Sequence, residues 1–482
     1  MLPKNLNFKS ASKVESAACR SWRSNLAPQN GTGPYQLGDT IIFNIPAKNN
    51  QCLSTLDSYL KFTLPGLATG STVCGFRFGP AGAHSIIDRI RIWSGSNLLE
   101  DITQYGVLAS LMNDLQVPTD SFYGKNTILQ GTRNDLVTRT PTIEALTGNT
   151  IGDINVALAQ IGNQVVSCNQ INSGESLRES VGGGSVIATG KTTGEQTYCL
   201  NLISILGCLT NSVYFPLFAC KSSGLRLEIT LVSSLAQMGA VLGTVTAPNG
   251  VMRNVEFVCQ MLELSDPAMG TISQSLQGQP LQFVVPSYRN YQYTTSAMTS
   301  GNATSVSFAI PAKVSSLKSI FITQRDKGTG ALTFFPHSSI TGGLTDYNFR
   351  IGSKIMPPKA PSTIPEMFCE VIKAIDSLGN VNHQPSIEKY TYSMNASAAN
   401  TKENELSNAS SISAGAFYVG LDTESYTSAN KDQIFSGLST LNSDIYFQGN
   451  YNPPANQTLR LDAFCMYDNL LVFENDVCYS KN

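Results

Sequence analysis

The six residues FNIPAK at 43–48 return as FAIPAK at 308–313, more than half the chain apart. A chain that writes one phrase twice at such a distance is constrained to contain two copies of whatever the phrase builds. Two further matches keep the same order: RIWSGS at 91–96 against FRIGSK at 349–354, and LRLEIT at 225–230 against LRLDAF at 459–464. The offsets are about 265, 258 and 234 residues, so the second copy has the shorter loops. Concordant order, more than any single match, points to duplication of one module. The length of 482 residues agrees, because single cores stop growing near ~250–300.

The module reads as β. Thr40–Ile45 and Ser58–Leu64 carry the β-branched and aromatic content of strands and end at Pro46 and at Pro65-Gly66. Ile86–Trp93 follows, with Ile90 and Ile92 alternating against Arg89 and Arg91, and Gly95 turns the chain. Strand text returns at Val213–Phe218, at Leu225–Leu231 in strict alternation, and at Val255–Leu264. In the second half Ser305–Pro311 and Leu317–Ile322 repeat the opening pair. Short strands with regular turn signals make a sandwich or a barrel.

Each half also holds a helical pattern. In the first, Leu98, Ile102, Tyr105, Leu108, Met112 and Leu115 recur at three and four, predicting a helix over about 98–116. Asn97 would cap it, with Glu100 at the capping-box position, Asp101 near the positive end of the dipole, and Pro118 as the stop. In the second, Thr363, Pro365 and Glu366 form the start signal, Phe368, Ile372, Ile375 and Leu378 the stripe, and Gly379 the end.

Residues 1–33 differ from the rest. Lys4, Lys9, Lys13, Arg20 and Arg23 stand against a single Glu15, with no periodicity, predicting a flexible basic arm that orders only against something else. A first domain is expected over 34–268, with a loop-rich excursion at about 117–198, and a second over 269–482; SDPAMGTISQSLQGQP at 265–280 is the junction. The composition is 41% hydrophobic and 14% charged, enough to bury large cores, and the net charge of −2 argues against a whole-domain nucleic-acid binder. The eleven cysteines are scattered singly without CxxC, as buried thiols of a reducing compartment are. The N-terminus has no apolar signal core, and no run approaches the ~18 apolar residues of a spanning helix. Synthesis and folding in the cytosol follow as the expectation, which leaves the five Asn-x-Ser/Thr sequons without weight.

Catalytic constellations are not written here. His84, His337 and His383 are far apart and sit in no metal-binding spacing. Gly190-Lys191-Thr192 resembles a phosphate loop, but the required leading glycine is Ser185 and no buried strand precedes it. Ser315-x-x-Lys318 and Ser10-x-x-Lys13 match SxxK without a helix N-terminus to activate the serine. No catalytic, metal or cofactor site is expected.

Taken together, FNIPAK…DSYLKFTL, GAHSIIDRIRIWSGSNLLEDITQYGVLASLMNDL, DYNFRIGSKIMPP and TLRLDAFCMYDNLLVFEND resemble the double jelly-roll major capsid proteins of viruses, particularly the polinton-like and virophage-like group and related large DNA viruses. The resemblance spans most of 34–475 as short motifs and has no counterpart for 117–198. It implies an all-β fold with a few short helices, in which each half is an eight-stranded jelly roll. It also implies a homotrimer forming a pseudo-hexagonal capsomer, neighbouring capsomers as partners, minor capsid or penton proteins and an internal membrane as further ones, and a place in the virion. On that basis Lys4, Lys9, Lys13, Arg20 and Arg23 are candidate inner-face contacts. Two alternatives stay open at this point. One is a tandem jelly-roll capsid protein of an unrelated lineage such as an RNA virus, separable by genome type. The other is a carbohydrate-binding or carbohydrate-active β-sandwich, for which Trp22 and Trp93 are the only tryptophans available.

Overall fold

A computed structural model describes residues 20–69, 75–78, 81–118, 121, 125–131, 195–207, 214–242, 245–276, 279–327, 337–376, 378–379, 383, 385–387, 389–394, 415–424 and 437–481. The first half contributes eight principal strands: β1 Arg20–Leu26, β2 Thr40–Ile45, β3 Gln51–Leu64, β4 Ile87–Ser94, β5 Asn97–Thr103, β6 Gln196–Leu200, β7 Leu225–Leu231 and β8 Arg253–Glu263. They form two antiparallel sheets ordered β1-β8-β3-β6 and β2-β7-β4-β5. The second half repeats the plan with β9 Leu281–Thr294, β10 Thr304–Ile310, β11 Leu317–Asp326, β12 Leu344–Ile351, β13 Lys354–Met356, β14 Tyr418–Asp422, β15 Ile445–Tyr451 and β16 Leu459–Glu474. Its sheets run β9-β16-β11-β14 and β10-β15-β12-β13, the same order strand for strand, and a final strand β17, Val477–Lys481, folds back on β16. This is the jelly roll, twice.

The duplicated phrase lands where duplication requires. FNIPAK ends β2 and FAIPAK ends β10, and both strands are the first of the corresponding sheet. Their alternation is the reason. Ile41, Phe43 and Ile45 point into the first core at 0–1% exposure, and Val306, Phe308 and Ile310 into the second. Each such side chain contributes about 1.5–3 kcal/mol through burial. RIWSGS and FRIGSK are equivalent too, forming the β4–β5 and β12–β13 hairpins, with Gly95 and Gly352 both turning at φ +59°. LRLEIT and LRLDAF are not. LRLEIT is β7, whose counterpart is β15, whereas LRLDAF opens β16, the counterpart of β8. Their likeness is that of two half-buried strands, not of one ancestral segment.

Other expectations need correction. The helix expected from Leu98 starts only at Tyr105: Asn97–Thr103 is strand, and helix α1 is Tyr105–Gln116, entered through Gln104 at φ +53° without a side-chain cap. Asn97 and Glu100 therefore cap nothing. The arm does not extend to residue 33, because Arg20–Leu26 pairs along its whole length with β8. The expected strand at Val213–Phe218 is a single bridge of Phe215 to Leu53, followed by a 3-10 turn at Leu217–Cys220. The polar excursion ends in β6, paired with β3; its residues 132–194, with Gly190-Lys191-Thr192, lie outside the described residues.

The junction is helix α2, Asp266–Leu276. Helix α3, Ile364–Ile375, has the expected start: Thr363 accepts from the Glu366 N–H, the Glu366 carboxylate accepts from the Thr363 N–H, and Pro365 sits in the first turn. It ends at Asp376 rather than at Gly379, and Leu378 is exposed, not part of a buried stripe. The helix lies so close to β14 that a Cβ on Gly420 would stand 2.6 Å from the Val371 Cα.

Candidate functional site

The most elaborate chemistry in the molecule lies along the seam where the halves meet. β5, the last strand of its sheet, runs against β9 and β17 of the second half, and α1 meets α3. One apolar cluster crosses the boundary, joining Leu99, Leu108 and Leu111 to Val285, Tyr288, Phe321 and Phe473. Phe215 packs edge-on to Phe473 at 5.5 Å, and Phe473 stacks on Phe283 at 5.3 Å.

Polar groups then fix the register of that contact. The Leu99 carbonyl accepts from the Asn469 amide at 3.0 Å, and Ser480 donates to the Asn469 Oδ1 at 2.6 Å. Asn97 donates to the Cys478 carbonyl at 3.2 Å. Glu100, 2% exposed, accepts from the Ile205 N–H at 2.9 Å and from the Ser287 hydroxyl at 2.7 Å. Burial raises its carboxyl to about 7, against the pull of those two hydrogen bonds. At the far end the Tyr418 hydroxyl donates to Asp114 at 2.5 Å and His383 donates to the Leu115 carbonyl at 2.7 Å.

A buried ionic group lies beside the start of α1. Arg325 donates to Asp462 at 2.5 Å and to the Gln104 amide oxygen at 3.2 Å, while the Gln104 amide donates to Asp88 at 3.0 Å. Burial raises the Asp88 carboxyl, and the charges of Arg460, Arg89 and Arg325 oppose that rise. His84 and His337 flank the same place. His84 Nδ1 lies 3.0 Å from the Tyr105 hydroxyl, which itself accepts from the Ile203 N–H at 2.9 Å. The tautomer of the neutral imidazole sets which of the two donates. Burial holds both histidines down at about 3, with the Arg325 charge adding to the effect at His337. Gly106 admits the second ring: a Cβ there would stand 3.0 Å from His337 Nε2 and from the Ser85 Cα.

A cleft of about 340 Å³ opens on the seam between β5 and β9, lined by Leu98, Asp101, Arg289, Tyr291 and Tyr467 among others. Its charges are already engaged. Asp101 holds Arg89 through two bonds of 2.6–2.7 Å, and the Arg289 guanidinium lies 4.9 Å from the centre of the Tyr467 ring. Lys318, of the SxxK match, is buried and paired with Glu424 at 3.1 Å and Asp468 at 3.6 Å. Among the described residues no group of three or more His, Cys, Asp or Glu could hold a metal ion. No helix among them is long and apolar enough to cross a membrane. Cysteines 52, 199, 220, 259, 369, 465 and 478 stand as thiols, with no disulfide among the described residues.

Of the expected arm contacts, Lys4, Lys9 and Lys13 lie outside the described residues, as does Ser10. Arg20 and Arg23 are exposed on β1. Arg23 lies over the Tyr59 ring at 5.6 Å and donates to Asn25, which donates to Glu256, so this arginine helps to dock β1 onto its own sheet. Nothing in the sequence marks the seam residues as an interface. The single available signal is Glu100, an acid in the midst of apolar text.

No family model matches the sequence, and no curated protein is similar to it in sequence. Solved structures are similar in fold. The crystal structure of PBCV-1 VP54 fitted into a reconstruction of the virophage Sputnik superposes with a TM-score of 0.57 at 8% identity, covering 96% of this chain and 97% of that one. A quasi-atomic model of the PBCV-1 virus capsid gives 0.55 at 9% identity, with 96% and 97% covered. The cryo-EM structure of the Sputnik virophage gives 0.50 at 10% identity, with 96% and 88% covered. At such identities the likeness is one of fold, and it extends over both jelly rolls.

Proposed function

We propose that the protein is a viral major capsid protein, a structural subunit of an icosahedral shell. The observation that carries this reading is the tandem of two jelly rolls with identical strand order, locked side by side, matching capsid structures over nearly the whole of both chains. Two modules held rigidly at one seam present two similar sets of edges and loops, as a tile of a shell needs. The subunit is structural rather than catalytic: of the acids lining the seam cleft, Glu100 is held by Ser287 and the Ile205 N–H and Asp101 by Arg89, so both serve the contact between the halves.

Three chains form the capsomer, so that six jelly rolls give a pseudo-hexagonal outline, and capsomers contact one another in the virion. Lys4, Lys9 and Lys13 act on the inner face, toward minor capsid or penton proteins or an internal membrane. Basic residues ahead of an edge strand suit an anionic surface. Sedimentation of the purified protein tests the reading: a species of three chains is expected, and a single chain at every concentration would refute it.

A further inference from the structure

The seam cleft between β5 and β9 holds polar groups that the contact of the two halves leaves unused. Asn290, on its wall, keeps both the nitrogen and the oxygen of its side-chain amide out of solvent, and neither has a partner among the described residues. Its neighbour Arg289 has no acid against it. The electrostatic neighbours of Arg289 are Tyr467 and Tyr291, and its guanidinium lies over the Tyr467 ring. A guanidinium stacked on a ring still offers N–H donors along its edge, and the stacking fixes the plane of that fork. Leaving a buried amide group unpaired costs about 1–3 kcal/mol. Here that cost stands beside a cation without a counter-charge, at the wall of a cavity.

The other groups of the cleft narrow what fits. Asp101 accepts from Arg89 on both carboxylate oxygens, and Glu100 is turned to Ser287 and the Ile205 N–H, so neither acid neutralises Arg289. Their oxygens make the wall unfavourable to a multiply charged phosphate, while one negative charge can be matched by Arg289. A carboxylate carries that single charge and is planar, as the fork requires. Asn290 adds a second demand: its oxygen needs a donor and its nitrogen an acceptor, and a hydroxyl beside the carboxylate meets both. The Tyr467 ring is buried and covered by Arg289, so it is no platform for stacking a neutral sugar. Leu98, 40% exposed, gives a carbon skeleton an apolar surface. The volume of about 340 Å³ is at the small end of ligand sites.

We propose that this cleft binds a small hydroxylated carboxylate, either a free hydroxy acid or the terminal acidic sugar of a glycan. Arg289 takes the carboxylate, and Asn290 takes the neighbouring hydroxyl and one carboxylate oxygen. The site is built from a single chain. It goes beyond the capsid reading, and its failure would leave that reading standing.

The test is calorimetric titration of the full chain with glucuronate, with a disaccharide ending in glucuronate, with glucose as the uncharged match, and with inorganic phosphate. Glucuronate is expected to bind in the millimolar range or tighter, and glucose and phosphate weaker by about tenfold or more, the worth of a hydrogen bond to a charged group. Equal binding of the disaccharide supports a glycan terminus, and binding of the free acid alone supports a hydroxy acid. No heat from either, or phosphate bound as tightly, would overturn the proposal. Asn290→Leu should lose about tenfold or more in affinity while its melting temperature holds or rises, because an apolar side chain of similar size replaces an unpaired amide. Wild-type affinity in Asn290→Leu would overturn the proposal. Should that variant fold poorly, Arg289→Lys decides, since it keeps the charge and loses the fork: weaker glucuronate binding supports the site, and unchanged binding overturns it.

Discussion

The first half ends its second sheet with seven residues of strand, the second half with three. β5 runs on through Glu100 and Asp101 to Thr103; β13 stops at Met356, before Pro357-Pro358. The difference follows from what lies beyond. β5 is sealed within its own chain and can bury a carboxyl, because Ser287 and the Ile205 amide are fixed there to meet it. β13 faces no such partner among the described residues, and proline, which cannot donate to a ladder, keeps the strand short. One module has two such edges, one covered within the chain and one without a further strand among the described residues.

The comparison can be broken first at the helices. α1 tolerates close approach through Gly106, and α3 through Gly420. Gly420→Val should destabilise by about 3 kcal/mol or more in urea denaturation, the upper end of overpacking costs, since the obstacle is helix backbone. Gly106→Val should cost less, because part of what it meets is the movable ring of His337. Equal losses would mean that the two helices are held alike.

Titration sharpens the contrast. His84 and His337 are held at about 3 in the fold against 6.5 outside it, so the unfolded chain binds the extra protons. Their contribution is present above pH 6.5 and lost as pH falls toward 3. Each tenfold difference in proton affinity is worth about 1.4 kcal/mol, so the effect amounts to several kcal/mol. Thermal melting between pH 7 and 4 should show the loss, and His84→Gln should reduce it. Glu100 has the opposite sign. Held at about 7 against 4.5, it stabilises most below pH 4.5, and that share is lost as pH rises through 7. Glu100→Gln should therefore remove a loss on going from pH 4.5 to 8, and a variant whose profile over that window matches the wild type would show that the carboxyl is not sealed.

The smallest effect is expected at the helix starts. Thr363→Ala removes a complete capping box and should cost about 1 kcal/mol. α1 has no side-chain cap to lose, and its entry is held by the tertiary bonds of Gln104 to Asp88 and Arg325 instead. If Thr363→Ala proves neutral, α3 too is set by packing alone.

The capping box of α3 is legible in the sequence because its partners are three residues apart. The start of α1 is not. Leu98 and Ile102 are four apart, a spacing that reads as one face of a helix as readily as of a strand, although here a register shift leaves Leu98 exposed and Ile102 buried. Only Gln104, bent to φ +53°, marks the change, and nothing in its neighbours announces it. RSWRSNL reads as arm because it is polar; as the outermost strand β1, it needs only Trp22 and Leu26 against the core. Beyond the oddly placed Glu100 the seam is not legible, because Glu100 with Ser287 and Asp114 with Tyr418 are partners across 187 and 304 residues. Alternation betrays a buried face, but not what the face is buried against.

The central claim is that two equivalent jelly rolls make a shell subunit. Electron microscopy of the purified protein tests it most directly. Class averages with a threefold axis and six similar lobes in a near-hexagonal outline are predicted. Averages showing two-lobed single molecules alone, under all conditions of assembly, would contradict it.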